Sequence, residues 1–349
     1  MDFFHLVISD WYKKNMRDLP WRETNDPYKI WISEIMLQQT RVVQAIQYYN
    51  RFLIQFPTVY ELATAKEDEV LKLWQGLGYY TRARNLHQAA KIVANDFSGV
   101  FPDDFYTIKN LPGIGHYTAA AIASIAFNKP VAAIDGNIYR LLSRYFGVFT
   151  PIDSTSGKKE FQELANSLVP ENNAGNYNQA MMEFGALQCI PSNPDCEICP
   201  LIKTCYAAIH KTINELPVKS KKVKTVNRYF YYYIIEDSDF VLLQKRTGKD
   251  IWKNLYQFPL AESNIELSDE KILEIPFDFL KNENIIINSI SESYKHILTH
   301  QIIYARFVYL TMEKIPLDCK GFLKIHKKDI FKFAVPRLLE AVVVKTGNR

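Results

Sequence analysis

Leu111-Pro112-Gly113-Ile114-Gly115-His116-Tyr117-Thr118-Ala119-Ala120 decides how the first half of this chain folds. Two glycines two apart allow a tight hairpin between helices. The amides of such a turn come close to a phosphate, and the next helix presents its positive N-terminus to the same anion. A bare Gly-x-Gly is often only a turn. The Leu-Pro before it and the small-residue run after it predict a helix–hairpin–helix, a grip on a DNA backbone that ignores base sequence. Gly113 and Gly115 are the candidate backbone contacts.

Outward from the hairpin the pattern is helical. Asp26-Pro27 starts a helix with proline at its first position, and Tyr28 to Tyr49 continues it in Ile, Leu, Met and Gln. Glu67 to Gly76, Arg82 to Phe97 and Thr118 to Phe127 repeat the pattern between Gly- or Pro-containing turns. The stretch from Glu215 to Lys224 is basic and aperiodic, and reads as a linker that could also touch phosphates. After it, Tyr229–Ile235, Phe240–Gln244, Glu283–Ile287 and Ile302–Leu310 are β-branched and aromatic, hence strands, with a helix near Val335–Val344. With 349 residues the chain exceeds the ~250–300 that one core usually holds. The expected division is an all-α domain over 1–212 with its hairpin at about 105–127, a linker at 213–227, and a smaller α+β domain over 228–349.

Composition is that of an ordinary globular protein, 48% hydrophobic and 23% charged, with a net charge of +4 that is compatible with a polyanion but weak alone. Apolar runs fall short of the roughly 20 residues a membrane span needs. Met1-Asp2-Phe3-Phe4-His5 does not open a signal peptide. The expectation is a cytoplasmic protein in a reducing compartment, without a membrane partner.

Cysteine usage is the second strong signal. Cys189, Cys196, Cys199 and Cys205 are spaced x6, x2, x5, while Cys319 stands apart. In a reducing compartment such a cluster reads as metal rather than disulfide. A structural zinc usually shows two Cys-x2-Cys knuckles; here there is one, with unequal arms and Pro200 after Cys199. The spacing favours an iron–sulfur cluster over zinc.

Two carboxyls are candidates for acid–base work. Glu34 has Ile30, Trp31, Ile35 and Leu37 as helical neighbours, so it sits on or beside an apolar face. Desolvation there raises a carboxyl's pKa and suits a general acid, although a surface Glu at a helix edge fits the isolated residue as well. Asp135, in Ile134-Asp135-Gly136-Asn137, is in isolation most often a cap or turn residue.

Together these residues resemble the MutY family of adenine DNA glycosylases, within the helix–hairpin–helix, endonuclease III-like superfamily. The resemblance runs from Leu19-Pro20-Trp21 to Cys205 and continues more weakly to the C-terminus. Its most specific pieces are Ser33 to Thr40, Gly76 to Leu86, the hairpin, Asp135-Gly136-Asn137, Asn178 to Ala186 and the four cysteines. It implies a monomeric enzyme of base excision repair that removes adenine mispaired with 8-oxoguanine or guanine from double-stranded DNA. It also implies a [4Fe-4S] cluster on Cys189, Cys196, Cys199 and Cys205, mainly structural and DNA-linked. By resemblance Glu34 protonates the adenine ring, Asp135 stabilises the cationic sugar, and Asn137 and Tyr117 position that site. Gln179 and Glu183 line the adenine pocket and Arg22 lies near it. Gln39 and Tyr79 insert into the DNA stack. Endonuclease III-like relatives carry a lysine where this chain has Tyr117, so a monofunctional glycosylase is expected rather than a glycosylase–lyase.

The C-terminal part resembles the family's Nudix-like module, most clearly at Trp252 to Pro259. The metal-binding Arg-Glu-x-x-Glu-Glu helix of a Nudix hydrolase is missing, so recognition is expected rather than hydrolysis. Where the family reads 8-oxoguanine with Phe-Ser-His, this chain has Leu298, Thr299 and His300. The rival readings are an endonuclease III-like glycosylase for thymine or oxidised pyrimidines, and a non-catalytic iron–sulfur protein that scans DNA.

Overall fold

The computed structural model describes residues 2–220, 225–274, 277, 280, 283–316, 319 and 321–348. The chain divides into two compact units, one of residues 1–64 and 85–221, the other of 65–84 and 222–349. Part of the linker expected at 213–227 falls on 221–224, outside the described residues.

The first unit is helical: α1 (Asp2–Asn15), α2 (Pro27–Leu37), α3 (Val42–Gln55) and α4 (Val59–Thr64) precede the 65–84 segment. That segment carries α5 (Glu67–Trp74) and the first turn of α6 (Thr81–Asp96). Then come α7 (Phe105–Lys109), α8 (His116–Phe127), α9 (Gly136–Phe146), α10 (Thr155–Asn166), α11 (Ala174–Leu187) and α12 (Tyr206–Ile209). The helical pattern from Tyr28 to Tyr49 is not one helix. It breaks between α2 and α3, where Gln39 takes a left-handed φ of 54° and stands exposed. The pattern continues across the break because both helices keep an apolar face toward the core.

α8 lies at the centre. Thr118 to Ser124 are all buried, and their small side chains let α2, α7 and α11 pack closely on it. Gly113 of the preceding hairpin has φ 77°, and a Cβ there would stand 2.6 Å from Asn85 Cβ, so only glycine fits the turn. Asn178 on α11 ties down the approach to α9: its side chain donates to Val131 O and Ser124 Oγ and accepts from Ala133 N–H. A Cβ on Gly185 would come within 2.7 Å of Asn137 O, so this glycine sets how closely α11 approaches the start of α9.

The second unit is built on an eight-stranded mixed sheet among the described residues. Its strands are β1 (Val226–Glu236), β2 (Phe240–Lys245), β3 (Tyr256–Gln257), β4 (Leu260–Ser263), β5 (Ile285–Ile290), β6 (Tyr294–Ile297), β7 (Gln301–Met312) and β8 (Leu323–His326). β1 runs parallel to β7 along its whole length, and β6 folds back antiparallel on β7. β1 reads as a continuous apolar and aromatic run because both its faces are covered. Phe230, Tyr232 and Ile234 join Leu339, Val342 and Val343 beside α14 (Glu340–Gly347), whereas Tyr231, Tyr233 and Ile235 join Ile272 of α13 (Asp269–Leu273), Ile315 and Cys319.

The 65–84 segment packs with this sheet unit. Asp68 accepts from Lys245 Nζ at 2.6 Å and Tyr256 Oη at 2.8 Å, Lys72 Nζ donates to Phe333 O at 3.0 Å, and Arg84 donates to Lys253 O at 2.7 Å.

Candidate active site

Glu34 comes from the last turn of α2, and the apolar neighbours that make this helix a core element also bury the carboxyl, leaving it 6% exposed. Burial raises its pKa to about 7, and the nearby Asp135 charge pushes the same way. The Tyr117 hydroxyl, from the start of α8, bonds the carboxyl and holds it down somewhat. Glu34 Oε2 has no hydrogen-bond partner. Tyr117 also reaches Met182 Sδ at 3.3 Å, and its own pKa is driven far up by burial and the two carboxyls.

Asp135 is desolvated by burial as well, but its oxygens are met by donors. It is the N-cap of α9, and Oδ1 accepts from the backbone N–H groups of Asn137 at 2.9 Å and Ile138 at 2.8 Å. Oδ2 accepts from Asn137 Nδ2 at 2.6 Å. Burial leaves its pKa raised, and these three donors and the charge of Arg140 pull it part of the way back toward the anion. The cap reading of Asp135 and the catalytic reading are therefore the same geometry: the helix N-terminus that the side chain closes also favours its charge.

Both carboxyls line one cavity of about 600 Å³, with Arg22, Gln39, Tyr117, Asn137, Gln179 and Glu183 around it. Glu183 is 1% exposed and fully engaged. Arg22 donates to both its oxygens, at 3.0 and 2.8 Å, and Arg17 does the same at 2.8 and 2.6 Å. Burial pushes this carboxyl up, but the two guanidinium forks outweigh it and bring the pKa to about 2. Glu183 thus stands as a fixed charge in the cavity wall. Arg17 does not stand out in the sequence; its place two residues before Leu19-Pro20-Trp21-Arg22 is the available signal.

Arg140 is another residue that sequence reasoning misses, although it lies one turn beyond Asn137 on α9. It donates to Asn137 Oδ1 at 2.9 Å and to Cys189 O at 2.6 Å. Arg144, one turn further, reaches Cys189 Sγ at 3.5 Å and the carbonyls of Ile190 and Pro191. Cys189, Cys196, Cys199 and Cys205 line one small cavity beside Arg144. Among the described residues no three His, Cys, Asp or Glu side chains converge tightly enough for a single metal ion. Burial, with the neighbouring thiols adding to it, pushes the Cys199 thiol up to about 11, so four thiolates here need a cationic centre among them. A donor set of sulfur alone around a small cavity fits an iron–sulfur cluster.

Tyr79 and Leu298-Thr299-His300 belong to the second unit. Leu298 to His300 form the tip of the β6–β7 hairpin, with Leu298 N–H closing on Gln301 O and Leu298 packed against the sheet core. The Tyr79 hydroxyl and Thr299 Oγ1 stand 2.6 Å apart.

Fold and cavity together define a helix–hairpin–helix protein of base excision DNA repair. Residues 32–171 match the HhH-GPD superfamily of base excision DNA repair proteins, and residues 230–345 match the NUDIX domain. Adenine DNA glycosylase from Buchnera aphidicola of Acyrthosiphon pisum (strain APS) is 37% identical over 337 residues, 96% of this chain and 93% of its own. The chain belongs to the MutY family of adenine DNA glycosylases. The human adenine DNA glycosylase is 41% identical over 213 residues, covering 58% of this chain and 39% of its own. A solved thermostable thymine-DNA glycosylase is 33% identical with a TM-score of 0.56, covering 60% of this chain and 96% of its own. A solved endonuclease III bound non-covalently to DNA shares the fold at 20% identity and a TM-score of 0.53, over 60% of this chain and 96% of its own.

Proposed function

We propose that this chain hydrolyses the N-glycosidic bond of adenine mispaired with 8-oxoguanine, or with guanine, in double-stranded DNA, acting as a monomeric, monofunctional glycosylase in the cytoplasm. The observation that carries the proposal is the contrast between the two carboxyls. Glu34 is buried with an oxygen lacking any donor, and Asp135 holds three donors at a helix N-terminus. Glycosidic cleavage through a cationic sugar requires such a division into proton donor and anion.

In the proposed reaction the Glu34 carboxyl gives its proton to a ring nitrogen of the flipped adenine, and the bond from that base to C1′ breaks. Adenine leaves neutral. Asp135, held as a carboxylate by the α9 N-terminus and Asn137, faces the positive charge that develops on the sugar. Water adds at C1′ and loses a proton, leaving an abasic site. Tyr117 and Asn137 orient the two carboxyls, and Gln179 faces the same cavity. Arg22, with Arg17, fixes Glu183 in its wall. Gly113 and Gly115 would meet the backbone phosphates, while Gln39 and Tyr79 would fill the space around the extruded base. Leu298, Thr299 and His300 would read the base opposite adenine. Cys189, Cys196, Cys199 and Cys205 would hold a [4Fe-4S] cluster, which lends the loop rigidity and a place against DNA and takes no part in bond breaking.

The test is single-turnover cleavage of a duplex with one adenine opposite 8-oxoguanine, with and without alkali afterwards. Strand breaks that need alkali are expected; scission without alkali or intact adenine overturns the reading. The likeness to the solved thymine-DNA glycosylase favours a second reading, thymine removal. That solved chain matches only 60% of this one, whereas the Buchnera relative matches 96%. A thymine:guanine duplex in the same assay separates the two.

A further inference from the structure

Tyr79 is held in an unusual way for an exposed side chain. It is 47% exposed and has a left-handed φ of 48°, in a turn where Gly76 and Gly78 also have positive φ. Its hydroxyl nevertheless meets Thr299 Oγ1 at 2.6 Å, across 220 residues of sequence. Beneath the turn lies Arg82. Its Nη2 donates to Gly78 O at 3.1 Å, and more weakly to Leu77 O at 3.3 Å. Its guanidinium lies 5.4 Å from the Trp74 ring and 5.6 Å from the Tyr79 ring. Trp74 Nε1 donates to Gly78 O at 3.2 Å, so the same carbonyl is gripped twice. All of these residues belong to one compact unit.

We propose that Arg82 is a positioning residue for recognition of the base opposite adenine: it holds the Gly76–Tyr79 turn so that the Tyr79 and Thr299 hydroxyls bridge before DNA arrives, making wedge and reading loop one element. The proposal rests on the lesion-reading role given above to Thr299 and deepens it. Arginine suits this place because its planar fork reaches carbonyls while its face lies against aromatic rings; lysine offers a point charge and no face. An exposed aromatic free to rotate would lose that freedom on entering the stack. A bridged one has lost it already, and the saving appears as tighter binding. The bridge also links the stacking contact to the base-reading contact, so a base that disturbs one disturbs the other.

The experiment measures, with the full chain, dissociation constants and saturating single-turnover rates on adenine:8-oxoguanine and adenine:guanine duplexes. Arg82→Lys should weaken lesion binding about tenfold, reducing the lesion-to-guanine preference, with a smaller change in the saturating rate. Tyr79→Phe and Thr299→Val should each reduce the preference, and their combination should reduce it no further than the worse single change. Thr299→Ser, which keeps a hydroxyl, should restore it. Independent, multiplying effects of Tyr79→Phe and Thr299→Val would overturn the bridge, as would an Arg82→Lys protein whose preference is unchanged. A wild-type protein with no preference for the lesion would instead overturn the lesion-reading role itself. If Arg82→Lys fails to fold, the Tyr79 and Thr299 pair still decides.

Discussion

Glu34 carries an opposition between stability and activity. Its pKa rises from 4.5 to about 7 on folding, so the folded state binds the proton more tightly than the unfolded chain. The penalty is absent below pH 4.5, grows as pH climbs through about 7, and at full ionisation is about 3 kcal/mol. Glu34→Gln should therefore raise the melting temperature at pH 8 more than at pH 5 while slowing excision about 10²–10⁴-fold; near-normal excision would remove Glu34 as the acid. Wild-type single-turnover rates should fall as pH rises through about 7. Glu183 moves in the other direction, from 4.5 to about 2, so its contribution is present above 4.5 and lost as pH falls toward 2. Together the two groups favour the folded state most near their shared unfolded value of 4.5. Asp135→Asn keeps a good helix cap but not the charge, and should cost about 10²–10³-fold in rate with little change in melting temperature. Tyr117→Lys should introduce strand scission without alkali, with borohydride trapping the DNA on the new side chain, because an amine there can form a Schiff base that a phenol cannot. The burial of Glu34 and the cap position of Asp135 were legible because apolar neighbours and a Gly-Asn turn leave local marks. The Arg17–Glu183 pair was not, since its partners are 166 residues apart.

At the scale of elements, helices with strong periodicity were legible, and so were the long strands. The break at Gln38–Arg41 was not, because Gln39 adopts a left-handed φ with no glycine to announce it. β3, β4, β6 and β8 were missed because two to four residues are too few for alternation to show. The loop from Cys189 to Cys205 contains only a short 3₁₀ turn of regular structure, at Ile202–Thr204, so the proposed cluster would supply much of what fixes its shape. Cys199→Ser should accordingly lose iron and lower the melting temperature, as read by iron content and a thermal scan. Cys319→Ser should keep full iron content and cost about 1 kcal/mol, since a buried hydroxyl replaces a thiol that already bonds Pro316 O. In the β6–β7 hairpin, Thr299→Ala with His300→Ala should reduce preference for 8-oxoguanine over guanine tenfold or more, at roughly 1–3 kcal/mol for each lost polar contact. A double variant with full preference would mean that this hairpin does not read the lesion.

At the scale of the molecule, the unit carrying the sheet is not a C-terminal appendage, because it includes residues 65–84. Sequence patterns could not show this: α5 is an ordinary amphipathic helix, and nothing local says which surface its Val70, Leu71 and Trp74 will meet. A chain ending at residue 224 should therefore be more than a glycosylase without a reader. Asp68 loses Lys245 and Tyr256, Lys72 loses Phe333 O and Arg84 loses Lys253 O, so limited proteolysis of the shortened chain should cut first within 65–84, with mass spectrometry locating the nicks. Excision should fall on both mismatches, and further on the one containing 8-oxoguanine. Intact protection of 65–84 would show that the segment holds its shape alone. The same arrangement bears on synthesis. The ribosome releases this segment early, and the surface that completes it is among the last to emerge. For most of translation Asp68, Lys72 and Arg84 lack the groups they bond in the finished protein, while the chain around them folds. A premature stop late in the message should thus leave 65–84 without its bonds to the sheet, and a protease-sensitive product rather than a smaller working enzyme.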